Sequence, residues 1–216
     1  MLKCDFHTHS VLSPDGGITT VDYKRILAAK KLDVIAVTDH DRIDLAMELH
    51  HELGQQIIVG EEIMTTDGEV IGLFLQEWIA PHQSIHETIR CIRDQSGLVY
   101  LPHPFDRHRH GIRPDQAMPI AEIDILESFN ARCQDDQANQ QAWEFAQTND
   151  LLAFSSSDSH SVGELGSTYT QLPTLPTASN LLDILSEATF HDQAVHWRQR
   201  LNPTINRLRH LVKRVQ

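Results

Sequence analysis

Cysteine is scarce in this 216-residue chain: Cys4, Cys91 and Cys133 are the only three, and they are widely spaced. Three scattered thiols cannot build a disulfide framework or a thiolate zinc motif, so each reads as a small buried apolar residue in a reducing compartment. Long hydrophobic runs are missing too. No stretch approaches the ~18 apolar residues of a membrane span, and the opening MLKCDFHTHS has no basic segment followed by an apolar one. The expected location is the cytoplasm, with no membrane span. Aromatic residues make up only 6%, and Tyr100, Phe105 and Phe129 give little material for a base-stacking platform. Acidic residues stop at Asp192. Six of the 18 basic residues lie beyond it, so 12 basic groups face 30 acidic ones in residues 1–192, a balance of −18. Such a field repels a long polyanion, although bound divalent cations would offset it locally and admit a phosphate.

Apolar runs that read as buried strands alternate with segments of helical period. The strand candidates are 2–6, 33–37, 56–59, 69–75, 98–101, 123–126 and 151–154; helices are expected over 21–31, 42–53, 85–95, 137–149 and 180–190. Ser84 followed by Glu87 forms a capping-box start, and Asp41 fits a helix N-cap. Residues 172–177, with Pro173 and Pro176, read as a loop. Repeated strand-helix units give an α/β fold, either a barrel or an open doubly wound sheet. No internal repeat, low-complexity tract or linker divides the chain, so one domain is expected over 1–192 with a basic helical extension over 193–216.

Histidine-acid clusters recur where the apolar runs end: DFHTHS at 5–10, TDH at 38–40, GEE at 60–62, PHP at 102–104 and SDSH at 157–160. Imidazole nitrogens and carboxylate oxygens together bind divalent metals, which makes His7, His9, His40, Glu62, His103, Asp158 and His160 the candidate ligands. His7 and His9 are two apart, so in extended backbone both point the same way, and Asp158 with His160 repeats that spacing. In a closed barrel the strand ends form one rim on which such residues converge, whereas an open sheet would spread them along an edge. The barrel is the better fit. Of the adjacent Glu61 and Glu62, alternation lets one face the pocket, and Asp39 is expected to orient a ligand or cap a turn. The serines at 155–157 and 159 lack a histidine-serine-acid arrangement and read as turn and packing residues. The histidines at 50, 51, 82, 86, 191, 196 and 210 read as solvated.

These strings, in this order over residues 5–160, resemble the PHP (polymerase and histidinol phosphatase) family. The resemblance implies a distorted (β/α)7 TIM-like barrel with a two- or three-metal centre at its rim that hydrolyses phosphoesters. It adds Asp15, in SPDG, to the ligands and favours Glu62 over Glu61. Two positions depart from the family pattern, Glu69 in EVIGLF and Asn130 in ESFNAR, where many relatives carry histidine. A carboxylate at Glu69 still suits a cation, whereas an amide at Asn130 is a weak ligand.

Arg107, Arg109 and Arg113 in FDRHRHGIR, and Arg132 after Asn130, are candidates for holding phosphate oxygens, because a planar guanidinium binds them bidentately. His108 or His110 is the candidate proton donor to the leaving oxygen. Mixed nitrogen and oxygen ligands without thiolate suit manganese, zinc or iron. The expected activity is hydrolysis of a small phosphate ester; the rivals are trimming of short oligonucleotides and a non-catalytic metal-binding module. In the tail, Arg207, Arg209, Lys213 and Arg214 interleave with Ile205, Leu208, Leu211, Val212 and Val215, an amphipathic helix after Pro203. It is read as packing on the protein's own acidic surface or on a second subunit in a homo-oligomer, with nucleic acid or anionic membrane as the other options.

Overall fold

β-Branched and leucine-rich runs form the strands of the computed structural model, which describes residues 1–113 and 120–214. The order is β1 (Leu2–Asp5), α1 (Thr20–Ala28), β2 (Val34–Val37), α2 (Asp44–Leu53), β3 (Ile57–Met64), β4 (Glu69–Leu73), α3 (Ile85–Asp94), β5 (Leu98–Leu101), β6 (Ile125–Asn130), α4 (Asp136–Thr148), β7 (Leu152–Ser156), β8 (Tyr169–Leu172), α5 (Leu181–Ile184), β9 (Thr189–His191) and α6 (Asn202–Arg214). One sheet runs β7-β6-β5-β4-β3-β2-β1-β8-β9. Strands β1, β2 and β3 are parallel, as are β5, β6 and β7, while β4 runs antiparallel to both its neighbours.

The sheet curls into a nearly closed barrel. At the upper rim the chain beyond β1 meets the chain beyond β7: Thr8 and Ser159 form a parallel bridge, and His9 N–H donates to the Ser159 carbonyl at 2.9 Å. Lower down β8 lies between β1 and β7, and the Thr170 hydroxyl accepts from Ser155 N–H and donates to Ser155 C=O, both at 3.0 Å. A side chain thus supplies there the bonds that a backbone ladder would make.

Period-two alternation divides the core. Cys4, Phe6, Val34, Ala36, Tyr100, Ile125 and Phe154 form one cluster with Leu181 and Leu185, and Phe6 stacks on Phe154 at 3.8 Å between centroids. Ile35, Val37, Val59, Val99 and Leu101 on the opposite strand faces pack with apolar residues of α1, α2 and α3. Capping boxes at Thr19 with Asp22 and at Ser84 with Glu87 start α1 and α3, each worth ~1 kcal/mol by the usual effect of such caps.

Strands β1 to β7 overlap the seven expected runs, but four readings need correction. Residues 180–190 hold a short α-helix and a 3-10 turn over Leu185–Glu187 instead of one continuous helix, because Thr189 and Phe190 extend and pair with Gln171 and Thr170. Leu172 ends strand β8 instead of opening a loop. Asp41 does not cap α2, whose N-cap is Ile43; with φ at 53° its carboxylate accepts from Met64 N–H at 2.8 Å. His210 is half-buried and anchored, its ring donating to the Gly16 carbonyl, whereas His50 stays exposed as expected while donating to the Ile57 carbonyl. Helix α6 begins one residue before Pro203, in the first turn where proline is tolerated. Val215 lies outside the described residues, as do the side chains of Lys213 and Arg214. Among the described residues no helix is long and apolar enough to cross a membrane.

Candidate metal centre

Rim position is set by strand direction. Parallel strands β1, β2, β5 and β7 deliver His7 and His9, His40, His103, and Asp158 with His160 just past their C-terminal ends. Strand β3 carries Glu62 near its end, and the reversed β4 places Glu69, its first residue, opposite Met64 of β3 at the same rim. Asp15 arrives on the loop after β1. Gly16 is needed beside it, because a Cβ there would run into the Ser10 carbonyl.

Glu62 is the hub. Its Oε2 lies 3.3 Å from His7 Nε2, 3.3 Å from His9 Nε2 and 3.2 Å from His40 Nδ1, and its Oε1 lies 3.0 Å from His103 Nε2. Asp158 Oδ1 sits 3.3 Å from His9 Nε2, and Asp15 Oδ1 sits 3.6 Å from His40 and 3.5 Å from His160. Glu69 is 3.8 Å from both His40 and His103. Four overlapping groups have donor atoms within 4.8 Å of one another: His9, Asp15, His40 and His160; His7, His103 and Asp158; His7, His9 and Glu62; and His40, Glu62 and Glu69.

The outer nitrogens of three imidazoles are engaged by the surrounding protein. His7 Nδ1 donates to Glu127 at 3.1 Å, His160 Nδ1 donates to the Asp158 carbonyl at 2.8 Å, and His9 Nδ1 meets Ser13 Oγ at 3.2 Å. Each ring therefore turns Nε2 inward, the orientation a metal-binding histidine needs. Asp15 Oδ1, Asp158 Oδ1 and His160 Nε2 are buried without a hydrogen-bond partner. Buried polar atoms are rarely left so; Asp15 and His160 fall in one donor group and Asp158 in a neighbouring one, and divalent cations fit as the partners of all three.

Backbone strain accompanies this geometry. His103 and Asp158 adopt φ of 31° and 51°, at a cost of ~1–3 kcal/mol each by the usual penalty for such conformations. His103 N–H donating to Glu127 at 2.7 Å and Ser157 N–H donating to Asp5 at 3.1 Å hold these turns. Glu127 and Asn130 would face opposite ways on a regular strand, but a bulge in β6 between Glu127 and Phe129 turns both inward.

Burial and charge tune the cluster in opposite directions. Burial acts against protonated His7 and His40, yet Glu62 outweighs it, with Glu127 helping at His7 and Asp15 at His40; their pKa values are raised to about 10 and about 9. Burial and the neighbouring His160 and His40 push His9 below its usual range, and burial takes His160 down to about 4 against the pull of Asp15. Burial would raise Asp15, but His160 and His40 hold it well below the carboxylate range.

Other expected residues fall into separate places. Asn130 directs its amide nitrogen to Glu127 at 2.9 Å and Asp158 at 3.2 Å, while its oxygen accepts from Arg132 N–H. It steadies carboxylates through its nitrogen, while its oxygen is already engaged by one backbone N–H. Arg132 is buried, pairing with Glu164 at 3.1 Å and donating to the Gln199 and Arg200 carbonyls, so it pins the C-terminal segment. Arg109 reaches Asp158, His108 lines an adjoining cavity of about 230 Å³, and Arg107 is exposed. Asp39 accepts from Ser10 N–H and Oγ and shapes the loop after β1. Glu61 lies on the other face of β3, accepting from Ile79 N–H.

Sequence reasoning passed over Glu127 and Asn206. A lone acid inside the apolar run ILESF was the available signal for Glu127, because a buried strand carboxylate needs several donors; Tyr100 OH is another, at 2.7 Å. Asn206 of α6 donates to the Asp15 and His160 carbonyls at 2.9 and 3.0 Å, and no spacing announced it.

Comparison with known proteins bears on the fold and the family. Residues 136–190 match the family model described as PHP-associated. An uncharacterized protein of Methanocaldococcus jannaschii is 34% identical over 176 residues, which cover 78% of this chain and 69% of that protein. A two-domain Bacteroides vulgatus protein containing a predicted PHP-like metal-dependent phosphoesterase superposes with a TM-score of 0.65 at 22% identity, over 95% of this chain and 69% of that one. Endonuclease Q, solved with a 27-mer duplex, gives a TM-score of 0.61 at 15% identity, over 86% of this chain and 56% of its own. The order of the rim motifs, the nearly closed barrel that carries them and these likenesses agree, and the chain belongs to the PHP family.

Proposed function

We propose that this protein is a metal-dependent phosphoesterase that hydrolyses a small phosphate ester at a centre of two or three divalent cations on the barrel rim. The observation that carries this reading is that Asp15, whose buried Oδ1 has no hydrogen-bond partner among the described residues, lines an arginine-rich cavity of about 230 Å³ together with His40 and Glu69, while Arg109 on the same wall reaches Asp158. His7, His9, Asp15, His40, Glu62, Glu69, His103, Asp158 and His160 would hold the cations. Manganese, zinc or iron bound there supplies activation of water and relief of charge on the phosphoryl oxygens.

The chain's own groups do the rest. The Arg109 guanidinium, beside Asp158 and on the cavity wall, holds phosphoryl oxygens. His108, exposed on the same wall, delivers a proton to the departing oxygen. Glu127 and Ser13 keep the imidazoles of His7 and His9 turned inward, and Asn130 fixes the Asp158 carboxylate. No protein nucleophile is required: Ser157 and Ser159 are buried and hydrogen-bonded to Asp5 and to each other.

Long nucleic acids fit this surface poorly. Tyr100 is buried beneath the cluster and Phe105 packs on Phe145, which leaves neither free to stack a base. A panel of phosphomonoesters, cyclic diesters, nucleotide bisphosphates and short oligonucleotides, assayed with each metal, tests the reading. Turnover is expected for monoesters or nucleotide-sized substrates in preference to the short oligonucleotides. Preference for oligonucleotides would move the assignment to a trimming nuclease, and inactivity across the panel would refute phosphoester hydrolysis.

A further inference from the structure

Helix α6 is attached to the barrel in an unusual manner for an amphipathic helix. Leu208, Leu211 and Val212 stay exposed, whereas a helix that only stabilises a fold buries its apolar stripe. Its contacts with the rim are polar. Asn206 is 7% exposed and donates to the carbonyls of Asp15 and His160, His210 donates to the Gly16 carbonyl at 3.1 Å, and Arg207 pairs with Asp15 Oδ2 at 2.8 Å. All three grip segments that carry candidate ligands.

Arg207 also borders empty space. It lines the 230 Å³ cavity beside His40, Glu69 and Arg109, and it lines a second cavity of about 510 Å³ walled by Leu12, Pro14, Arg42 and Leu211. His40 and Arg207 are common to both. Of the arginines on the smaller cavity, Arg132 is buried and spends both terminal nitrogens on Glu164 and two carbonyls, which leaves only its Nε without a partner among the described residues. The Arg207 side chain keeps 63% of its exposure and, among the described residues, uses a single nitrogen, Nη2, on Asp15. A guanidinium has five N–H donors, so an edge remains for an anion.

We propose that Arg207, carried by the C-terminal helix, is a substrate-binding residue that holds an anionic oxygen of the phosphoryl group in the smaller cavity while the leaving group occupies the larger one. The substrate class is then an organic phosphate ester whose leaving group is bulky and partly apolar, matched to Leu12, Pro14 and Leu211. This rests on the phosphoesterase reading above. Asp15 anchors the guanidinium beside the candidate ligands, and a cation held by Asp15 would share the carboxylate charge that now holds Arg207.

The test compares wild type, Arg207→Gln and Arg207→Lys, each loaded with manganese, by calorimetric titration of inorganic phosphate, with metal content and Tm measured in parallel. Arg207→Gln should bind phosphate about 10- to 100-fold more weakly, the usual range for losing a charge-assisted bidentate contact, with metal content and Tm unchanged. Arg207→Lys should recover part of the affinity. Unchanged phosphate affinity overturns the proposal, and so does loss of metal or of Tm, which would make Arg207 a support for Asp15. In wild type, naphthyl phosphate should show a lower KM than glycerol phosphate; equal values would refute the leaving-group assignment. If wild type bound no phosphate and hydrolysed no ester, the phosphoesterase reading would fall as well, a result distinct from a wild type that binds phosphate and a variant that matches it.

Discussion

Glu62→Gln is expected to lower hydrolysis of any phosphoester by on the order of 10³-fold or more, because in the proposed centre Glu62 would be the carboxylate shared between cations that would activate water. Among the described residues Glu62 is the one carboxylate within 3.3 Å of all four of His7, His9, His40 and His103. An amide of the same shape loses the negative charge and turns two donors toward imidazoles that must themselves face cations. Metal content, measured by elemental analysis after loading and desalting, should fall by at least one ion per chain. Glu61→Gln is the control, since Glu61 lies on the opposite face of β3. An active Glu62→Gln protein with full metal content would contradict the arrangement.

Removing divalent ions should have the second large effect, on stability and with a defined pH dependence. Ions that bind only the folded chain stabilise it by ~2.7 kcal/mol when present at a hundred times their Kd, which for a domain of this size is a Tm difference of about 5–10 °C. Excess chelator should lower Tm by that amount. The pKa values of His7 and His40, raised to about 10 and about 9 by Glu62 against the opposing effect of burial, mean that both carry protons at pH 7 without metal. Cations must displace those protons. Metal affinity should therefore rise roughly 10- to 100-fold per pH unit, for one or two protons released, up to about pH 9.

The metal-free protein should behave oppositely. A folded-state histidine pKa above its unfolded value of about 6.5 gives stabilisation that is complete below that value and is lost as pH rises through about 9 to 10. Tm without metal should fall between pH 7 and 10, while the increment added by metal grows. Thermal melts with and without chelator across that range check both signs; an increment that shrinks with rising pH would contradict the protonation states assigned to His7 and His40.

The rim was legible in the sequence wherever a ligand follows a strand. His7 and His9 share a face by spacing, alternation lets only one of Glu61 and Glu62 face the pocket, and resemblance to the PHP motifs favours Glu62; the structure brings His7, His9 and Glu62 together and turns Glu61 to Ile79. Glu69 was harder, because a residue that begins a strand reaches the upper rim only if that strand is reversed, and the direction of β4 is a property of the sheet. Glu127 looked like an interruption of an apolar run, although it organises His7, His103, Tyr100 and Asn130 together. Arg132 carried the right chemistry for phosphate, but Glu164, 32 residues onward, claims its guanidinium. Helix α6 was readable as basic and amphipathic, whereas its docking through Asn206 depends on where two distant loops meet. Strands β8 and β9 are short and polar, so pairing rather than pattern defines them.

Convergence of these side chains on shared cations is most directly tested by anomalous scattering from crystals grown with manganese. Two peaks about 3.5–4 Å apart, the spacing of two-metal hydrolytic sites, are predicted on either side of the Glu62 carboxylate, with His7, His9, His40, His103 and Asp158 around them. A map with no peak within bonding distance of Glu62, from protein shown to be folded and supplied with the metal, would contradict it.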